Sequence, residues 1–310
     1  MKSFHTQKGV ALITALLIVA LATILTVAMT SRQQLDIRRT ANLINREQAY
    51  MYALGGENWT KQILLRDAKN NQFDSFNDIW ATPMPPLPIL GGTVQGHVED
   101  LQGRFNLNNL IKENQISKED FTLFERLLQI LELPPKLAQI VVDWIDNDME
   151  PQLPYGAEDN TYLIQKHAYR TSNTLLSSPT EIRLLSGFEQ KNYQKLLPHI
   201  STLPTRTPIN LNTATLEILM ALVEGLSDFE AQTLIASRDK KPFESVEDFL
   251  VHDALAGLSI NANNNLSVSS DYFFLTVQVQ IARTQIQLNS ILHRLPNKVE
   301  IVLRSQGLID

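Results

Sequence analysis

The pattern of apolar and polar positions changes several times along this chain. From Val10 to Ser31 no charged residue occurs. That run meets the ~20 apolar residues that a helix needs to cross a bilayer. Beyond it, Ile37, Ala41, Ile44, Gln48 and Met51 fall at spacings of three and four, Trp59 and Ile63 lie further on, and no proline occurs before Pro83. The spacing predicts one long helix from Val10 to about Asp67, apolar all round at first and amphipathic later, with Gly55-Gly56 as the place where it can kink or end. Pro83, Pro85, Pro86 and Pro88 then predict an extended connection before Gly91-Gly92.

A different period marks the flanks of the remaining chain. Thr93 to Leu101 reads as a strand, with Val94 and Val98 on one side. Tyr272 to Ala282 alternates, placing Phe273, Leu275, Val277, Val279 and Ile281 on one face and Thr276, Gln278 and Gln280 on the other. Gln285 to Leu295 and Lys298 to Arg304 follow as two more strands, joined by Pro296-Asn297. Short turns make these strands antiparallel, and the long helix is the natural cover for their apolar face.

Between the two sets of strands the pattern is helical. The predicted fold is therefore α+β: a long N-terminal helix on a small antiparallel sheet, with a large α-helical domain inserted into the sheet. The divisions are a leader (1–9), the helix (10–67), the first part of the sheet domain (68–103), the insert (104–268) and the C-terminal strands (269–310). Within the insert, Arg104 to Leu110 (RFNLNNL) echoes Pro208 to Ala214 (PINLNTA), each followed by an apolar helix, which predicts two related helical units.

Composition narrows the chemistry. The formal charge of −6 argues against a broad nucleic-acid surface, and the absence of cysteine excludes disulfides, thiolate metal sites and cysteine nucleophiles. The six histidines are scattered, and no H-E-x-x-H, G-x-S-x-G or P-loop is present, so no enzymatic activity is expected. Basic residues flank both ends of the apolar run, which leaves its orientation undecided by charge.

One stretch stands out. From Leu137 to Gln165 there is no Lys or Arg, while Asp143, Asp146, Asp148, Glu150, Glu158 and Asp159 all occur. Asp146-Asn147-Asp148 falls at a predicted helix end, and Pro151, Pro154 and Gly156 force a loop that can return Glu158 and Asp159 towards it. Hard divalent cations want several oxygens, and Ca²⁺ accepts irregular loops better than Mg²⁺. The spacing is not that of an EF-hand, and a solvated acidic loop with helix-capping aspartates is the alternative.

A second stretch, Ile209 to Leu250, resembles the helix-hairpin-helix modules of DNA-uptake proteins. Its hairpin, Gly225-Leu226-Ser227, lacks the second glycine, and Asn210 to Leu250 holds eight acidic residues against three basic ones. Such a surface repels phosphate, so the stretch reads as a packing unit. A membrane-anchored DNA-binding protein remains the alternative function, and an anchored calcium-dependent hydrolase a third class without a nucleophile–base set.

The N-terminus resembles the class III leader of type IV pilins and pseudopilins, with its candidate cut between Gly9 and Val10, before the apolar run rather than after it as in a secretory signal. Taken with DLQGRFNLNNL (Asp100–Leu110), DWIDNDMEP (Asp143–Pro151), GAEDNTYL (Gly156–Leu163), YRTSN (Tyr169–Asn173) and INLNTAT (Ile209–Thr215), the chain resembles general secretion pathway protein K, the large minor pseudopilin of the type II secretion system. The resemblance covers nearly the whole mature chain. It implies a pilin fold with a calcium-binding helical insert, and it carries calcium ligation onto Asp146, Asp148, Glu158 and Asp159, with Asp143 beside them, in a loop spanning 143–162. It implies cleavage after Gly9 by prepilin peptidase and methylation of Val10. It also implies an inner-membrane anchor with the C-terminal domains in the periplasm, and partnership with the major pseudopilin and with other minor pseudopilins, two of them in a tip complex. No nucleic-acid partner is implied. The fifth mature residue of pilins is usually Glu, thought to neutralise the terminal amine of the subunit assembled just before; here it is Thr14. That suits a subunit with no neighbour above it, at the fibre tip, although a threonine satisfied by its own backbone would look the same.

Overall fold

A computed structural model describes residues 8–258, 260 and 265–307. Most of the leader, residues 1–7, and the last three residues of the C-terminal segment lie outside the described residues. Helix α1 runs from Lys8 to Asn70 without a break. Its first part contains an 18-residue stretch of mean hydropathy 2.8, none of it buried within the chain, and is long and apolar enough to cross a membrane. Its last part lies on a five-stranded antiparallel sheet made of β1 (Met84–Ile89), β2 (Gly92–Asp100), β3 (Tyr272–Ile281), β4 (Thr284–Leu295) and β5 (Lys298–Gln306), in that spatial order.

The expected kink or end at Gly55-Gly56 does not occur. Gly56 instead faces the sheet, where a Cβ would stand 3.1 Å from Val277 Cγ1, while a Cβ on Gly55 would meet nothing. With Ala49 and Ala53, both fully buried, Gly56 gives α1 a flat face that approaches the strands closely. Against that face lie Phe273, Leu275, Val277, Val279 and Ile281, the inward set of the alternation, together with Ile286, Leu288 and Leu292 of β4. A carboxylate is buried in this layer. Glu57 accepts from Ser290 Oγ at 2.7 Å and from Arg304 at 2.8 and 2.9 Å, and lies 3.4 Å from Lys61. Burial pushes its carboxyl up, but these partners outweigh it and hold the group below its ordinary range.

The proline segment also departs from expectation. Met84–Ile89 is a strand, β1, at the edge of the sheet beside β2, with a bulge between Met84 and Leu87 that takes up Pro85 and Pro86. Proline lacks the N–H of a ladder, so an edge with a bulge is where it can join a sheet.

Between β2 and β3 the chain builds its own apolar core, from Phe105 to Val268. Helix α2 (Lys118–Ile130) buries Leu123, Phe124, Leu127 and Leu128, and α3 (Leu137–Ile145) is buried along its whole length. Further helices follow: α4 (Asp159–Tyr162), α5 (Gln190–Leu196), α6 (Leu216–Leu222), α7 (Asp228–Lys240) and α8 (Val246–Leu250). The echoing motifs take matching conformations. Phe105–Asn106 pairs in parallel with Ile200–Ser201, and Ile209–Asn210 with Leu266–Ser267. Asn106 Oδ1 accepts from Asn108 N, and Asn210 Oδ1 from Asn212 N. Asn108 clips the backbone of Leu176 at both its N–H and its carbonyl, and Asn212 does the same to Phe243. A short Asn-x-Asn turn with a buried amide clip is thus the repeated unit.

The insert is fastened where the chain leaves and rejoins the sheet. Asp100, at the end of β2, is buried and accepts from Gln102 N, Thr213 Oγ1, Ser270 Oγ and Asn210 Nδ2. The same Asn210 amide reaches Asp74 O at 3.1 Å, just beyond α1.

The two adjacent glycines of α1 should respond in opposite senses to substitution. Gly56→Leu overfills the helix–sheet contact and should lower unfolding free energy by about 1–3 kcal/mol. Gly55→Ala meets nothing and gains helix propensity, so it should raise it by up to about 1 kcal/mol. Urea melts of the isolated chain in detergent measure both.

Candidate metal centre

Helix α3 ends at Asp146, whose backbone is extended and breaks the helix. The chain then turns through Asp148, loops through Pro151 and Pro154, and returns at Glu158, which precedes the single turn of α4. One carboxylate oxygen from each of Asp146, Asp148 and Glu158 lies within 4.8 Å of the others. Asp146 and Glu158 are buried and Asp148 is exposed.

The five expected ligands therefore divide. Asp143, fully buried, turns to the loop: both its oxygens accept from Gln152 N, at 3.0 and 3.2 Å, and a Cβ on Gly156 would fall on its carboxylate. Asp159 lies 3.5 Å from Arg170, and its Oδ1 accepts from Thr171 N and Oγ1 at 3.0 and 3.1 Å. Neither is in the group of three. Asp143 closes the loop and Asp159 ties it to the strand of chain that follows.

Two oxygens in the group have no donor among the described residues. Asp146 Oδ1 and Glu158 Oε1 are enclosed and unpartnered, and so is Asn173 Oδ1. Asn173 belongs with them: its N–H donates to Trp144 O at 3.1 Å and its side-chain amide to Asp148 O at 2.7 Å. It sits at φ +47°, the left-handed region that asparagine tolerates. Thr171 holds Glu158 Oε2 at 2.9 Å. Acid counting could not find Thr171 and Asn173, because neither carries a charge; only their place in the YRTSN motif marks them. Beneath the loop, Trp144, Tyr162 and Tyr169 form an aromatic floor with ring centroids 5.2 to 6.3 Å apart.

Burial pushes the Asp146 carboxyl up to about 7, and the charges of Asp148, Asp143 and Glu158 push in the same direction. Burial also raises Glu158, against the Thr171 hydroxyl, and raises Asp143, against the Gln152 and Ala157 N–H groups. A set of oxygens with no nitrogen or sulfur, two of them orphaned, suits a hard divalent cation.

The helix-hairpin-helix stretch is arranged for packing. Gly225 takes φ +81° in the turn, and Ser227 and Glu230 form a capping box that occupies the first amides of α7. Of the three basic residues, Arg238 is buried and donates to Leu211 O at 2.6 Å. The helix start that would face a phosphate carries Asp228 and Glu230 instead.

An apolar helix that continues as the cover of an antiparallel sheet, with a helical insert on its head, defines a pilin-like protein. Comparison with known proteins specifies it further. The family described as "Type II secretion system (T2SS), protein K" matches residues 103–205 and 209–269. The type II secretion system protein K of Pseudomonas aeruginosa is 35% identical, over 97% of this chain and 93% of its own length. That of Klebsiella pneumoniae is 33% identical over 98% of both. In the crystal structure of the GspK-GspI-GspJ complex from the type 2 secretion system of enterotoxigenic Escherichia coli, a chain 27% identical to this one matches with a TM-score of 0.78, over 87% of this chain and 100% of its own. The chain belongs to the type II secretion system protein K family, and it is a minor pseudopilin.

The raised acid in the pocket sets a pH dependence. A carboxyl whose folded value lies near 7 and whose unfolded value lies near about 4 keeps its proton in the folded chain after the unfolded chain has lost it, so stability falls as pH rises through that window. In chelator, Asp146→Asn should match the unaltered chain near pH 4, at the foot of that window, and exceed it at pH 7.5 by on the order of 4 kcal/mol. Calcium at a hundred times its dissociation constant should raise the melting temperature of the unaltered chain at pH 7.5 by roughly 5–10 °C and raise that of the variant by less. Thermal melts at the two pH values read both effects.

Proposed function

We propose that this minor pseudopilin is the tip subunit of the pseudopilus. It is held in the inner membrane by the apolar part of α1, with its folded head in the periplasm, until it is drawn into a complex with two other minor pseudopilins ahead of the major pseudopilin. The observation that carries this reading is the 27% identical GspK, solved together with GspI and GspJ. Two features of this chain support the place at the end. The insert, with a core of its own, enlarges the head in a way that lateral neighbours in a fibre would meet. Thr14 donates its hydroxyl to Ala11 O at 3.0 Å, a bond within its own helix, and has no charge to offer the amine of another subunit.

Processing would follow the pilin route: prepilin peptidase cuts between Gly9 and Val10, the new amine is methylated, and the apolar helix stays on the mature chain. Gly9 and Val10 lie in the first turn of α1, exposed, and a Cβ on Gly9 would meet nothing within 4 Å.

Calcium is the cation of this reading. Asp146, Asp148 and Glu158 would hold it, with Asn173 Oδ1 as a further oxygen, and Asp143 and Asp159 would fix the loop around it. The ion supplies positive charge where the oxygens lack donors, and it stabilises the folded insert by binding it in preference to the unfolded chain.

Immunogold labelling against the insert, on sheared pseudopili, tests the place in the fibre. One label cluster at a single end of each fibre is expected. Labels spread along the fibre length would contradict a tip position.

A further inference from the structure

A second group of acids lies outside the insert. Asp67 is in the last turn of α1, and Asp74 and Asp78 follow in the connection towards β1. One oxygen from each lies within 4.8 Å of the others. Their donors are few. Asp78 accepts from Ser75 N at 2.7 Å and from Asn71 Nδ2 at 3.2 Å. Asp74 Oδ2 is bonded by Arg294 and by Ser270 N, the latter at 2.8 Å. Asp67 lies 3.5 Å from the same Arg294.

Acids crowded together do not make a site. What singles this group out is the other oxygen of Asp74. The side chain is 1% exposed, and its Oδ1 is enclosed with no hydrogen-bond partner among the described residues. A buried carboxylate oxygen without a donor is costly, and native structures rarely leave one so. Arg294 cannot repair it, since its NH2 is spent on Asp74 Oδ2 and on Ser270 O. The guanidinium is the one basic side chain paired with these three carboxylates among the described residues, so two negative charges stay unbalanced.

Two occupants answer the free oxygen. A proton shared between Asp67 and Asp74 is one, since burial and the neighbouring charges of Asp78 and Asp74 push Asp67 up to about 7. A proton removes only one of the two unbalanced charges, and above neutral pH it leaves. A divalent cation removes both, and the donor set is all oxygen.

We propose that Asp67, Asp74 and Asp78 bind a hard divalent cation of the calcium class, at a site separate from the Asp146 pocket. The position gives that ion a structural role. It would link the end of α1 to the connection that follows it. Through Asn210, which donates to the backbone of Asp74, and through Ser270, it would also link both to the insert and the start of β3. The site would therefore fix the head relative to the spine, whereas the Asp146 pocket orders a loop inside the head.

Equilibrium dialysis of the full chain in detergent against radioactive calcium at pH 7.5 tests the proposal. Asp146→Asn combined with Glu158→Gln should still bind one ion per chain, and adding Asp78→Asn should abolish that binding. Asp78→Asn alone should bind one ion fewer than the unaltered chain, which decides the matter even if the double variant folds poorly by circular dichroism. No ion on the folded double variant, or an unchanged count in Asp78→Asn, would overturn the proposal and leave the proton as the occupant. A double variant that binds as many ions as the unaltered chain would refute the Asp146 pocket while leaving this site standing.

Discussion

The contact between the last part of α1 and the inner face of the sheet is the constraint on which the molecule depends. A single helix has to satisfy two surroundings in turn. Towards its start it is apolar on every side, as lipid requires, because its backbone bonds are internal and its side chains need no partner. From Ala49 onward it must present a face flat enough to lie on strands, and Ala49, Ala53 and Gly56 supply it. Glu57 then fixes the rotation of the helix on the sheet. Its carboxylate is taken out of water, so the bonds from Ser290 and Arg304 are obligatory, and turning the helix would strand the charge. The helix runs through this contact without a break.

The insert depends on this layer through its two ends. Asp100 and Ser270 sit where the chain leaves β2 and where it approaches β3, and both bond Asn210 of the second Asn-x-Asn turn. That amide also bonds the carbonyl of Asp74, beyond the end of α1. The head is thus joined to the spine by a buried polar network as well as by chain connectivity. Buried networks of this kind set orientation more than they add stability.

The sequence carried much of this in its periodicities. The change from continuous apolarity to spacings of three and four marked α1, and the alternation from Phe273 to Ile281 marked the central strand with its buried face in the right sense. Asn106 and Asn210 showed as a repeat because the turn they build needs the same side chains at the same offsets. Other features left no local trace. Proline predicts extended backbone but not the partner that makes β1 an edge strand, and a glycine pair reads as a break unless the opposite surface is known. Charge along the chain found the acidic loop but could not sort it. Asp143 and Asp159 are separated from Asp146, Asp148 and Glu158 by which backbone amides the fold brings near them. The Asp67, Asp74 and Asp78 group went unseen because its acids are spread over a helix end and a loop, and their basic partner lies on β4.

The central claim is that the apolar helix is a permanent part of an assembling subunit, with Val10 as its first mature residue. Mass spectrometry of the N-terminal peptide of the chain extracted from membranes tests it directly. The account expects a peptide beginning at Val10 with a methyl group on its amine. A chain that still begins at Met1, in cells with an active prepilin peptidase, would make α1 a plain anchor and contradict the assembly of this protein into a pseudopilus.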